Sequence, residues 1–428
     1  MSKSPRPRSA AHFGVNSFAM LAGLSTMAAL AHWQLGFFDS VEIVLLSGAV
    51  VGVSITAGEW WWRRRSPAPR DTGLDAPAAQ RIEPARVATR LLGLLATVAA
   101  IGFLYWLFPE YHGSFYAPYW RFLRLLAPIV APAAIAYFAW TDARLSEPRD
   151  TYWRIGRCLL GRIADRPAFV HIRAHALGWL VKAFFLPLMV VYARDQVNDL
   201  AHVLGGIAST GLTANLYPLM FRLGYSVDLL FCVVGYVLTL RVLDSQIRST
   251  DTTVAGWLVA LVCYQPFYSV IGTYYLAYSE SDDWARHFST LPNVGDAWGF
   301  TILALVLIYG LSTVAFGMRF SNLTNRGIIT GGPYRYMKHP AYFSKNLSWW
   351  LVSMPFLSAA GPGTALRHCL LLGLLNGVYY LRAKTEERHL AADPAYVAYA
   401  AWIAERGLFA RLRRSLLTLA PKRAKARP

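Results

Sequence analysis

The sequence predicts an all-α protein, a polytopic transmembrane helical bundle, on three observations. The 428-residue chain is 55% hydrophobic and only 15% charged, against about 25% charged in soluble domains. Apolar runs near one bilayer thickness, about 20 residues, recur along its length. The connections between them alternate between rich and poor in Lys and Arg, the pattern of loops sorted across a membrane.

Taken in order, the apolar runs are 14–33, 40–60, 91–108, 122–140, 177–193, 226–243, 254–275 and 298–318, followed by a short pair at 347–360 and 365–381. The pair is split by Gly361-Pro362-Gly363 and reads as a helical hairpin. About eight to ten spans are expected. The stretch 200–220 is too rich in Gly and Thr to assign, and segment 63–88, rich in Pro and Ala, reads as a linker. Residues 151–163 are basic and amphipathic, as in a helix lying on a membrane surface. The first run is long and lacks a convincing A-x-A site, so it reads as a retained helix rather than a signal peptide.

Net charge is +18. In a soluble chain that would suggest nucleic acid. Here the cations gather between apolar runs: Arg63, Arg64 and Arg65; Arg144 to Arg173; Arg319 to Lys345; and the tail from Arg411 to Arg427. The 276–297 connection is acidic, with Glu280, Asp282, Asp283 and Asp296. The expected partner is therefore the lipid bilayer and not nucleic acid, with both termini cytoplasmic. The Ala- and Arg-rich, Lys-poor composition points to a bacterial inner membrane. Cys158, Cys232, Cys263 and Cys369 are scattered, which argues against a disulfide scaffold and a metal site. Oligomeric state is not legible.

Within the N-terminal runs, Glu59 beside Trp60, Trp61 and Trp62 reads as part of an interfacial belt. Lys182 is either a functional group or a side chain snorkelling to the surface. Chemistry concentrates after residue 319. Arg326-Gly327-Ile328-Ile329-Thr330-Gly331-Gly332-Pro333-Tyr334 runs into Arg335-Tyr336-Met337-Lys338-His339-Pro340-Ala341-Tyr342. The Gly-Gly-Pro unit allows a turn and close backbone approach. Three tyrosines and a histidine could wrap a planar ring. After the hairpin, helical periodicity puts Tyr379, Arg382, Glu386 and His389 on one face and Asn376, Tyr380, Lys384 and Glu387 on another. Taken alone, Arg382 and Glu386 could be an ordinary i,i+4 pair. Tyr396 and Tyr399 follow on a further helix, for which packing is the simpler role.

These elements resemble the isoprenylcysteine carboxyl methyltransferase family and the related phospholipid N-methyltransferases. The family pattern T-x-G-x-Y-x-x-x-R-H-P-x-Y corresponds to Thr330 through Tyr342, and R-x-x-x-E-E to Arg382 through Glu387. The resemblance covers roughly 297–410. It implies S-adenosylmethionine bound at a C-terminal, cytoplasmic-facing site. Arg326, Gly327, Ile328, Ile329, Tyr334, His339, Pro340, Ala341 and Tyr342 would line that cofactor, and Glu386 would hold its ammonium group. Arg382 would hold the acceptor near the transferred methyl group. Lys338 stands where the family has Arg, and Arg326 where it often has His.

Methyl transfer from a sulfonium needs alignment and exclusion of water. A carboxylate acceptor needs a cation, for which Arg382 is suited. An amine would need a base, with Glu387 or His389 as candidates. The expectation is thus a membrane methyltransferase acting on a lipidic or prenylated acceptor, carboxylate O-methylation preferred, with Arg382 and Glu387 as its catalytic residues. Residues 1–250 would form an N-terminal helical region of unknown role, weakly assigned to shaping the acceptor cavity. Residues 251–415 would form the methyltransferase-like part, and 416–428 a basic tail. Competing readings are an NADPH-dependent sterol/steroid-type reductase, disfavoured by Glu386-Glu387, and a transporter or scaffold carrying a degenerate domain.

Overall fold

The computed structural model describes residues 5–33, 37–65, 71–75, 78, 80–161, 166–279 and 284–419. Glu280, Asp282, Asp283, Arg162, most of the expected tail and part of the 63–88 linker lie outside them. The N-terminal region folds as α1 (Phe13–Trp33), α2 (Ser40–Arg65), α3 (Pro84–Leu107), α4 (Ala117–Asp142), α5 (Thr151–Leu159), α6 (Arg166–Thr210) and α7 (Leu212–Val237). Then come α8 (Val254–Leu261), α9 (Phe267–Val270), α10 (Trp284–His287) and α11 (Pro292–Phe316). The hairpin α12 (Pro340–Ser353) and α13 (Pro362–Leu390) is followed by α14 (Pro394–Arg406) and α15 (Leu408–Leu419). Strands β1 (Ser249–Thr250) and β2 (Thr324–Asn325) pair antiparallel, with Ser249 opposite Asn325.

Local chemistry sets several boundaries. Pro occupies the first turn of α3, α11, α12, α13 and α14, where its missing N–H costs nothing. Asp150 caps α5 by accepting from the Trp153 N–H, and Asp393 caps α14 by accepting from Ala395. The segment 200–220 is helical up to Thr210, turns at Gly211 with φ 83°, and restarts at Leu212. With 45 residues, α6 is about 68 Å long, more than twice the hydrocarbon thickness. Helix α5 packs on α3 through glycines: a Cβ at Gly156 would stand 2.0 Å from the Thr89 carbonyl oxygen.

Among the described residues, seven helices are long and apolar enough to cross a membrane: α1 to α4, α6, α7 and α11. The chain is a multi-pass helical membrane protein. The expected span at 254–275 is broken instead. Helix α8 ends at Leu261, and a short helix and a π turn follow Pro266; Pro266 has no N–H to continue a ladder. At 14 residues, α12 reaches about 21 Å, which suits a hairpin rather than a full crossing.

The long helices share one core, running from Ala19 and Val44 through Val190 and Phe231 to Val314. Polar ties join its early and late parts. Asn16 on α1 donates to the Val314 carbonyl at 2.8 Å. Glu59 is 4% exposed and accepts from Arg319 at 2.9 Å. It is therefore a buried ion-pair partner rather than a headgroup-level belt residue. Lys182 lies 4.3 Å from the Trp179 ring centre. The first two ties bring the N-terminal end of α1 and the C-terminal ends of α2 and α11 together on one side of the bundle.

Candidate functional site

The aromatic turn and the acidic helix, 40 or more residues apart in sequence, close on one another. The turn is fixed from both sides. Gly332 adopts φ +56°, and a Cβ there would meet the Phe13 ring at 2.6 Å. The stretch before α1 lies over it as a strap: Ala10 N–H donates to the Ile328 carbonyl at 2.9 Å. Thr330 N–H donates to Ser9 Oγ at 3.2 Å, and Thr330 Oγ1 donates to the Pro7 carbonyl at 2.7 Å. His339, at φ −128° and ψ 62°, is turned out of the helical region ahead of Pro340. Tyr399 donates its hydroxyl to the Tyr334 carbonyl at 2.7 Å, locking α14 onto the turn.

Across the gap, the Tyr342 hydroxyl donates to Glu386. His339 Nε2 donates to Glu387 at 3.1 Å, and its Nδ1 lies 3.8 Å from Glu386. The His339 and Tyr342 rings stack with centroids 5.5 Å apart. Arg382, 4% exposed, donates from Nη2 to Asn322 Oδ1 at 2.5 Å, and its Nε lies 3.7 Å from Glu386. Asn322 is itself oriented by donating both its backbone N–H and its side-chain amide to the Tyr236 hydroxyl, each at 3.0 Å.

These contacts enclose a cavity of about 500 Å³, within the range of small-molecule sites. Arg326, Gly327, Ile328, Ile329, Tyr334, His339, Ala341 and Tyr342 line it from the turn. Tyr379, Arg382, Glu386 and His389, one face of α13, line it from the other side, and Tyr396 and Tyr399 cover it from α14. Pro340 and Glu387 do not line it. The opposite face of α13, with Asn376, Tyr380, Lys384 and Glu387, borders a separate groove.

Arg326 is 2% exposed and forms no ion pair with a carboxylate among the described residues. Its Nε donates to the Ser245 carbonyl at 2.7 Å, and its Nη1 to Gly235 and Phe320 at 2.8 and 2.7 Å. Its Nη2 has no hydrogen-bond partner among the described residues. Burial, then the neighbouring Arg319, lowers its pKa to about 9. The Nη2 N–H is buried together with the rest of the guanidinium.

Glu387 is held differently. The hydrogen bond from His339, then Lys338 at 3.3 Å and Lys384 at 3.4 Å, lower its pKa from 4.5 to about 2. That makes it a weak base. Because the folded value is the depressed one, the cluster's contribution to stability is full above about pH 4.5 and fades as pH falls toward 2. Glu387→Gln is expected to flatten this acid limb of a thermal-unfolding series in detergent. An unchanged limb would remove the cluster as its cause.

Several lining residues had no signal in the motif. Asn322 and Arg319 line the cavity from the polar stretch that follows α11, ahead of the motif. Lys345 on α12, Tyr309 and Thr313 on α11, and Met189, Tyr192, Tyr225, Asp228 and Cys232 on α6 and α7 extend the cavity toward the bundle interior.

Residues 299–392 match the model of the Isoprenylcysteine carboxyl methyltransferase (ICMT) family. The match begins within α11 and ends just after α13, so the family likeness is carried by the C-terminal part of the chain. No curated protein and no solved structure matches the chain.

Proposed function

We propose that the chain is an S-adenosylmethionine-dependent methyltransferase of the membrane, transferring a methyl group to the carboxylate of a lipidic or prenylated acceptor. The observation that carries this reading is the meeting of the 326–342 turn with one face of α13 around a single cavity, inside the segment matched to a methyltransferase family.

The donor set suits the cofactor. Glu386 offers a carboxylate to an ammonium group, and Tyr334, Tyr342, Tyr396 and Tyr399 offer aromatic surface. When bound, the cofactor supplies an electrophilic methyl on a positively charged sulfur. Arg382 holds the acceptor carboxylate beside it, with the Asn322 contact fixing the guanidinium plane. Arg382 with Asn322 would orient the acceptor oxygen toward that methyl group and keep it ionised. No proton moves, so the low basicity of Glu387 is no handicap; it would be one for an amine acceptor.

Arg319, Arg326 and Lys338 line the cavity, and Arg63 joins the Arg319 cluster; cations on that side support a cytoplasmic opening and cytoplasmic termini, and we place the protein in a bacterial inner membrane. Residues 1–250 and 251–415 would then act together, the first contributing helices to the acceptor end. Calorimetry on the purified protein tests the reading. S-adenosylmethionine is expected to bind, and Glu386→Gln to weaken it about 10- to 100-fold, as loss of a charged hydrogen bond worth about 1.5–3 kcal/mol would. Absence of binding by the wild-type protein overturns the reading.

A further inference from the structure

The interior end of the cavity is charged, although it is walled by the apolar helices of a membrane bundle. Asp228 on α7 is 7% exposed. Its Oδ2 accepts from the Tyr309 hydroxyl at 2.6 Å, and its Oδ1 accepts from Thr313. Among the described residues no cation lies within ion-pairing distance of it. A carboxylate has about four acceptor sites, so Oδ2 retains room for a further donor. A buried intramembrane carboxylate without a cation is costly and marks a functional site by default.

Lys345 faces the same space from α12. Its Nζ lies 5.2, 5.3 and 5.7 Å from the ring centres of Tyr309, Trp349 and Tyr379. It forms no ion pair among the described residues. Arg382 lies 5.9 Å from the same Tyr379 ring. Two cations thus flank one tyrosine. The carboxylate stands at the far end of Tyr309, the ring that Lys345 also approaches.

We propose that this end of the cavity is a subsite for a dipolar, amino-acid-type headgroup, its carboxylate held between Arg382 and Lys345 and its ammonium received by Asp228. The assignment rests on the methyltransferase reading above and names its acceptor class. A plain hydrocarbon segment in this space would leave both Asp228 and Lys345 desolvated and unpaired, at a cost of several kcal/mol. A site built for polar partners rejects a ligand that lacks them more strongly than an apolar site rejects an extra polar group. The cavity volume, about 500 Å³, lies within the range of small-molecule sites. The headgroup enters it beside the cofactor, and the long chain stays among the apolar helices. Asp228 belongs to a helix outside the family-matched segment, so this preference is a property of this chain's own N-terminal region.

The test uses the full chain in lipid nanodiscs, with labelled methyl from S-adenosylmethionine and three amphiphiles: α-aminopalmitic acid, palmitic acid and hexadecylamine. The expected result is ester formation on α-aminopalmitic acid at least tenfold faster than on palmitic acid, with hexadecylamine inert. Asp228→Asn should bring the two acids to similar rates. Lys345→Met, on a half-buried site that tolerates an uncharged chain, should slow α-aminopalmitic acid about tenfold with cofactor affinity unchanged. Equal or faster transfer to palmitic acid in the wild type overturns the proposal, as does methylation of hexadecylamine. Bound cofactor without transfer to any of the three overturns it as well, while leaving the methyltransferase reading intact. Failure to bind the cofactor defeats that reading instead.

Discussion

Replacing Arg382 with Lys is expected to lower labelled-methyl transfer about 10²- to 10³-fold, the loss typical of removing one aligned donor at a reacting oxyanion, while S-adenosylmethionine binds within about threefold of wild type. Charge survives this substitution, so the effect isolates geometry. The guanidinium spends Nη2 on Asn322 and directs Nε toward Glu386, while the residue lines the cavity. Its Cζ lies 5.3 Å from the Tyr342 ring centre and 5.5 Å from that of Tyr264. A lysine ammonium is a point charge with no planar fork, and it cannot keep both the Asn322 contact and a fixed donor toward the acceptor. Asn322→Ala is expected to reproduce part of the loss by freeing the guanidinium plane, with the pairing to Glu386 intact. Wild-type transfer rates in Arg382→Lys, measured in the same membranes with cofactor affinity checked by calorimetry, would end Arg382's role at the acceptor.

The helical class was readable from composition and from the spacing of apolar runs, because a bilayer imposes both. The site's two halves were readable because each is local. Helical periodicity alone assigns Tyr379, Arg382, Glu386 and His389 to one face, and that face lines the cavity, while Asn376, Tyr380, Lys384 and Glu387 border the other groove. The rest depended on contacts between residues far apart in sequence. Glu59 reads as interfacial because it follows a long apolar run and precedes three tryptophans; only the partner 260 positions later makes it a core residue. The segment 254–275 is apolar enough to span but carries Pro266 mid-run, and hydropathy does not register a backbone break. Asp228 lies in a run whose neighbours are Leu, Phe and Val, and its meaning arises from Tyr309 and Lys345 on other helices. The strap at Pro7–Ala10 has no side-chain pattern at all, since it works through backbone groups and one serine.

The largest effect on stability is expected at Arg319. Its side chain is fully buried, 2.9 Å from Glu59 and 3.5 Å from Asp244. Arg63 joins the same cluster, 2.5 Å from Glu59 and 3.7 Å from Asp244. This cluster ties the C-terminal end of α2 to the turn after α11 and to the connection that follows α7. Arg319→Met keeps much of the packing volume but leaves Glu59 with Arg63 as its close cation, and Asp244 with Arg63 and Arg248, 3.7 and 3.4 Å away. Removing one member of a buried charge cluster costs about 3–5 kcal/mol, most of it from the charge left uncompensated. Thermal unfolding in detergent is therefore expected to show a clear drop for Arg319→Met. A smaller drop is expected for the double variant Arg319→Met with Glu59→Gln, because the second change removes one stranded charge. The order is the diagnostic part. If the double variant were less stable than the single one, packing rather than charge pairing would account for the cluster. The consequence reaches the site, because Phe320 supplies a carbonyl to Arg326 and Asn322 orients Arg382. Loosening the Arg319 anchor should therefore weaken cofactor binding through these neighbours as well as lower stability.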